Sequence, residues 1–311
     1  VLLDTLKQLY NLLWFCKKTN IPFDVYAFTN NYPLQTYLSD GTPAIARMPA
    51  YEAKEGIAHV EDHFSLMNFF TSKVRGKELE EQMKHIFRIA IAHEDRYHCR
   101  YFVPNGLNLS GTPLNEAIVM LNYIIPKFKR ENDLQKVNAC ILTDGEANSI
   151  SYGCPSQYEG EEEHVRPRSL DYGNVQLRDR KTGRVYKKMD GYQNTTTTLI
   201  QQVRDRNAGV SVTGFRILPP NRLSEFVARF ADYSKYEEVQ KQWRKQKSAI
   251  LPFPKGYSAL YAISTKDLEE DVEFEVSEGA KKGEITRAFK KMLKSKSTNK
   301  KLLTSFVEYV A

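Results

Sequence analysis

One stretch restricts the fold more than any other: the run Val137-Asn138-Ala139-Cys140-Ile141-Leu142, followed at once by Thr143-Asp144-Gly145. It is short, mostly apolar and closed by turn residues, which suits a strand buried on both faces of a parallel sheet. The glycine breaks the strand and leaves Asp144 at its carboxyl end. Ligands of open α/β sheets bind outside the carboxyl ends of strands, so Asp144 is placed to hold a cation. A second stretch, Ser110-Gly111-Thr112-Pro113-Leu114-Asn115-Glu116-Ala117, reads as a loop running into a helix. Pro113 suits the first helical turn, and a hydroxyl is presented just ahead of it.

The rest of the chain supplies the frame. Residues 1–18 carry Leu2, Leu3, Leu6, Leu9, Tyr10 and Leu13 at helical spacing, ended by Asn20 and Pro22. A strand is expected over 23–29 and a helix over 77–92; 64–70 is apolar and ambiguous between strand and helix. A helix over 113–130 leads to the Asp144 strand. Further on come a helix capped by threonines at 195–198 and running to Asn207, and an alternating strand over 210–217. Two helical pieces follow within 221–247, broken near Asp232, with a last strand over 258–263. Strands alternating with helices predict an α/β fold with a doubly wound, mainly parallel sheet. Residues 30–60 and 149–192 read as irregular insertions, the second with a hairpin at Lys181-Thr182-Gly183-Arg184. The expected division is an α/β domain over 1–265, then an acidic linker and a basic helical extension over 266–311.

Charge and cysteine usage narrow the classes. The net charge of +7 is concentrated: residues 281–301 hold nine Lys or Arg and one Glu, leaving the remainder near −1. A basic tail allows nucleic-acid binding with strong salt dependence; an amphipathic helix with a solvated lysine face is the favoured reading of the same residues. No run of about 18 apolar residues occurs, so no transmembrane helix is expected. Cys16, Cys99, Cys140 and Cys154 show no C-x-x-C spacing, and Cys16 and Cys140 sit in apolar runs as core residues. A reducing, cytoplasmic compartment is the simpler expectation. His93 and His98 are five apart, not the four that place two ligands on one helical face, so the stretch is not the H-E-x-x-H zinc motif. An enzyme such as a metal-dependent peptidase would rest on those histidines alone. No Walker loop and no G-x-S-x-G is present, and no catalytic set assembles.

S-G-T-P-L-N-E-A followed by I-L-T-D-G resembles the second and third metal-site motifs of the von Willebrand factor A (VWA) family, in family order and joined by a helix and a strand. The resemblance covers roughly residues 1–265. It is strongest to VWA proteins of tailed phages, which are similar to the VWA subunit of aerobic cobalt chelatase. It implies a metal-ion-dependent adhesion site in which Thr112 and Asp144 help hold Mg2+ and an acidic side chain of a protein partner completes the shell. It also implies an adaptor role beside a MoxR-type AAA+ ATPase, with no catalysis by this chain. The family's first metal motif, D-x-S-x-S, sits on a central strand ahead of the first helix and does not occur here. The expectation is a chain N-terminally truncated before that strand, with an incomplete metal site.

Overall fold

The computed structural model of the chain describes residues 2–30, 53–61, 63–94, 103, 107, 109–143, 145–155, 165–171, 175–187, 192–252 and 254–264. In chain order, helix α1 (Leu2–Lys18) leads to β1 (Asp24–Asn30), β2 (Ala58–His59), β3 (Phe64–Thr71) and α2 (Gly76–Glu94). Then follow α3 (Leu114–Asn132), β4 (Val137–Thr143), β5 (Ser151–Pro155), β6 (Val165–Ser169), β7 (Leu177–Arg178) and β8 (Val185–Tyr186). The described chain closes with α4 (Tyr192–Arg206), β9 (Val210–Leu218), α5 (Leu223–Phe230), α6 (Tyr236–Gln246), β10 (Ser248–Ile250) and β11 (Ala259–Ser264). The fold is mixed α/β. Its largest sheet runs β10-β11-β9-β4, with β4, β9 and β11 parallel and β10 antiparallel at the edge.

Alternation along the strands assigns each side chain to one of two cores. On β9, Val212 and Leu218 enter one cluster and Phe215 and Ile217 the other; on β11, Leu260 and Ala262 part from Tyr261 and Ile263 in the same way. The first cluster is closed by α3, α4, α5 and α6 through Ile118, Ile125, Ile200, Val203, Val227 and Trp243. The second is closed by α1 and α2 through Leu12, Leu13, Phe15, Leu79 and Met83. The helical spacing of residues 1–18 is thus used as expected: one stripe of α1 is buried, and Asn20, at φ 55, ends it. Among the described residues no helix is long and apolar enough to cross a membrane.

Several expectations change. The ambiguous 64–70 stretch is a strand, β3, because it pairs antiparallel with β1 from Asp24↔Thr71 to Asn30↔Phe64. The two stretches read as irregular are joined to one another: β2 pairs with β5 and β5 with β6, all antiparallel. Two-residue strands carry too short an alternation to be legible, and this pairing is long-range. The hairpin at Gly183 is present, with β7 against β8 and Gly183 at φ 73. The threonines expected to cap a helix instead lie inside α4, Thr195 to Thr197 buried and Thr198 half-buried. Thr195 donates to Asp171 (2.6 Å) and Thr196 to Asn115 (2.8 Å), so their hydroxyls serve neighbouring elements and not the helix end. Cys140, expected in the core, is exposed, because β4 ends the sheet order and pairs, among the described residues, with β9 alone. The expected linker and basic extension over 266–311 lie outside the described residues.

Asp179 shows how the β7–β8 hairpin is held. It is buried, accepts from the N–H groups of Lys181 (2.7 Å) and Thr182 (3.0 Å) and from the Gln202 amide, and lies 3.8 Å from Arg206. Burial alone would raise its pKa, but the hydrogen bonds from Gln202, Thr182 and Lys181 and the charge of Arg206 outweigh it and hold the carboxyl below its usual value. A depressed folded-state pKa stabilises above the unfolded value and is lost as the pH falls through the folded one. Asp179→Ala should therefore cost about 1–3 kcal/mol at pH 7, the usual range for stranding buried donors. The cost should shrink in urea melts carried out below pH 4.

Candidate functional site

The site is built where β1 and β4 end. At the end of β1, the Asn30 N–H (2.9 Å) and the Thr29 hydroxyl (3.1 Å) donate to the Ser110 carbonyl, and the Ser110 N–H donates back to Thr29 Oγ1 at 3.2 Å. Gly111 follows at φ +61; a Cβ there would lie 2.5 Å from Asn30 Nδ2 and 3.0 Å from Asn148 Nδ2. Only glycine meets both demands. The Thr112 carbonyl then accepts from Leu114 (2.7 Å) and from Asn148 (2.8 Å), and its N–H donates to Asn148 Oδ1 at 3.3 Å.

These bonds bring the two sequence motifs together. Thr112 Oγ1 would sit 2.6 Å from a Cβ placed on Gly145, so the Thr112 loop lies directly against the loop that follows β4. Asp144, the other residue singled out in the sequence, lies outside the described residues, as does His98. His93 Nε2 lies 3.2 Å from the Leu107 carbonyl.

Four residues that sequence reasoning passed over surround this contact. Asn148 pins the Thr112 loop from below, and its carbonyl accepts from Asn115 Nδ2 at 2.7 Å. Asn115, fully buried, is in turn held by Thr196 of α4. Glu116 is 2% exposed, and its Oε2 has no hydrogen-bond partner. Burial pushes its carboxyl up to about 7; its own backbone N–H opposes that, and the charge of Glu61 adds to it. Arg216 is also buried and donates to the Gly145 carbonyl. One signal was available: Arg216 is the lone charge in the otherwise uncharged strand V-S-V-T-G-F-R-I, in register with Thr143 of β4. At the rim, Glu146 pairs with Arg229, which also pairs with Glu225.

A hard dication takes oxygen ligands, several of them usually carboxylates. Thr112 offers a hydroxyl of the right kind, but the charged side chain bonded to this loop, Arg216, is a cation. Among the described residues no group of three or more His, Cys, Asp or Glu could hold a metal. By themselves these residues do not make a Mg2+ site. What they make is a hydrogen-bonded ledge beside the ends of β1 and β4, with the Arg216 guanidinium bonded to it and the half-buried Thr112 hydroxyl against Gly145. Comparison of the chain with protein-family models, with curated proteins and with solved structures returned no match.

Proposed function

We propose that the chain is a protein-interaction module of the VWA type, with a doubly wound layer, that grips an acidic residue of a partner at the Thr112–Asp144 ledge. The observation that carries this reading is the contact of the Thr112 loop with Gly145 at the strands' carboxyl ends, the position at which open α/β sheets bind ligands. Arg216, beneath the same loop, adds a positive charge suited to a carboxylate. Mg2+ is the expected cofactor from the motif resemblance, with Thr112 and Asp144 its ligands in this chain. The described residues do not complete its shell, so metal dependence is the part of the proposal most exposed to test. The expected partner class is a MoxR-type AAA+ ATPase.

Thr112→Ala and Asp144→Ala should each weaken capture of such an ATPase at least tenfold. Thr112→Ala should cost about 0.5 kcal/mol or less in stability, because Thr112 is only half-buried and its bonds to Leu114 and Asn148 run through its backbone. Pull-downs from a strain carrying the candidate ATPase, with Mg2+ and with EDTA, separate the components. Capture lost in EDTA supports the metal clamp. Capture unaffected by EDTA but lost in Thr112→Ala leaves the ledge and removes the metal. Capture unaffected by either substitution sinks the proposal.

A further inference from the structure

The β7–β8 hairpin concentrates positive charge. From residue 178 to residue 187 it carries Arg178, Arg180, Lys181, Arg184 and Lys187, all exposed, against a single acid, Asp179. That acid is buried and spent inside the fold, on the hairpin's own N–H groups and on Gln202. Among the described residues the hairpin's ion pairs are Arg184 with Asp205 and Asp179 with Arg206, and neither involves the other four cations. Leu177 and Tyr186 are cross-strand partners, Tyr186 buried and Leu177 packed on the core, while the next pair, Arg178 and Val185, is exposed. A solvated surface usually intersperses both signs, and like charges this close repel one another.

A groove of about 440 Å³ lies beside the hairpin, lined by Arg184, Tyr186 and Lys187, by Thr198 and Gln201 of α4, and by Gly256. Its volume falls in the range of about 300–1,000 Å³ usual for small-ligand sites. Asp205 of α4 fixes the lining. It accepts from Gln201 Nε2 (2.7 Å) and from the Tyr186 hydroxyl (2.9 Å), and it pairs with Arg184 at 2.8 Å. The Arg184 guanidinium also lies over the Tyr186 ring, 5.5 Å from its centroid, yet the side chain stays 57% exposed. One face therefore rests on the ring, one edge is tied to Asp205, and the remaining face is a flat cation held in place before any ligand arrives. Gly256 sets the far wall: it sits at φ +74, a Cβ there would lie 2.5 Å from the Thr197 carbonyl, and its own carbonyl accepts from Arg204 at 2.7 Å.

We infer that the hairpin and this groove bind a single-stranded polynucleotide, with its phosphates along Arg178, Arg180, Lys181 and Lys187 and one base against the Arg184 guanidinium. The cations are strung out, not convergent: from Arg184 to Lys187 alone the chain spans about 10 Å. A lone phosphate reaches one or two of them, whereas a polynucleotide brings one negative charge per nucleotide. The guanidinium face selects an unpaired base. Bases splayed out of a helix stack on such planes, and inside a duplex their faces are already covered. Thr198 and Gln201 add a hydroxyl and an amide to the groove, the groups that hydrogen-bond base edges and sugars. A lipid surface fits less well. Val185 is the one large apolar side chain exposed on the hairpin, and interfacial binding needs a broad apolar face.

Fluorescence anisotropy tests it, with the full chain and labelled oligonucleotides of about 12 nucleotides as single-stranded DNA, single-stranded RNA and duplex DNA. The single strands should bind, with log K falling against log salt at a slope of about −3, the value for about four phosphate contacts. The tighter of the two single strands identifies the source of the ligand. Duplex should bind at least about fivefold more weakly than either. The triple variant Arg180→Glu, Lys181→Glu, Lys187→Glu should bind at least about tenfold more weakly and flatten the slope to about −1. Lys187→Gln alone should change the slope by about 0.7, which supplies the readout if the triple reversal disturbs the fold. Arg184→Lys keeps the charge and loses the plane, so single-strand binding should fall about fivefold or more with the slope unchanged. The matched control is Lys290→Glu, Lys291→Glu, Lys294→Glu in the basic tail, with the same change of net charge. Binding that survives the hairpin variants but is lost in that control overturns the inference. So do duplex bound as tightly as single strands, an Arg184→Lys variant that binds like the wild type, or no binding at about 50 mM salt. Phosphatidylserine vesicles bound in place of oligonucleotides overturn it as well. None of these outcomes depends on partner capture at the Thr112 ledge.

Discussion

Glu116→Gln should raise the stability of the chain at pH 8 by up to about 3 kcal/mol relative to its effect at pH 4. The side chain is 2% exposed, one carboxyl oxygen lacks a partner, and burial holds its pKa at about 7, above the ordinary 4.5. Between those two values the unfolded chain has released the proton while the folded chain still carries it. Wild-type stability therefore falls as the pH rises from about 4.5 to about 7, by roughly 1.4 kcal/mol per unit. Above pH 7 the folded state holds a buried, charged carboxylate and the loss is complete. Glutamine cannot ionise and keeps the side chain's shape, so its curve should be flat across that window. Urea melts at half-unit steps would show two curves that diverge with rising pH; parallel curves would mean that Glu116 is charged and solvated in the folded chain. The prediction bears on function because Glu116 sits in the first turn of α3, beside the Asn115–Asn148 bond that braces the ledge.

Phe215→Ala should cost about 3–5 kcal/mol, the range for removing a large aromatic side chain from a packed core. Phe215 is 2% exposed and stacks on Tyr261 with ring centroids 5.1 Å apart and planes at 12°. Its strand is held in register on both sides, against Leu142 of β4 and Tyr261 of β11, so the backbone cannot move in to fill the void. Tyr123→Ala is the matched control: that ring is 65% exposed, and its loss should stay within about 0.5 kcal/mol. Thermal melts of the two variants side by side decide it. Equal shifts would mean that β9 is not the centre of the packed layer.

Local patterns were legible wherever one segment carries its own periodicity. The helical stripe of residues 1–18, the alternation of 210–217 and the closed apolar run before Asp144 each state an element without help from elsewhere. The α/β class follows from their order. The meeting of Thr112 with the loop after β4 was expected from motif order, and the bonds of Asn148 show how it is held. Long-range partnerships were not legible. β2 is two residues long and exists only because β5 lies beside it. The buried Thr196–Asn115–Asn148 chain joins residues up to 81 apart, and nothing in the sequence near Thr196 names Asn115. Cys140 is the sharpest case. An apolar run argues for burial of every member, and sequence has no means of stating which of them the rest of the chain will cover. Burial belongs to the set of surfaces that close around a residue, not to the residue, so tertiary structure alone decided that Ile141 is buried while Cys140 beside it is exposed.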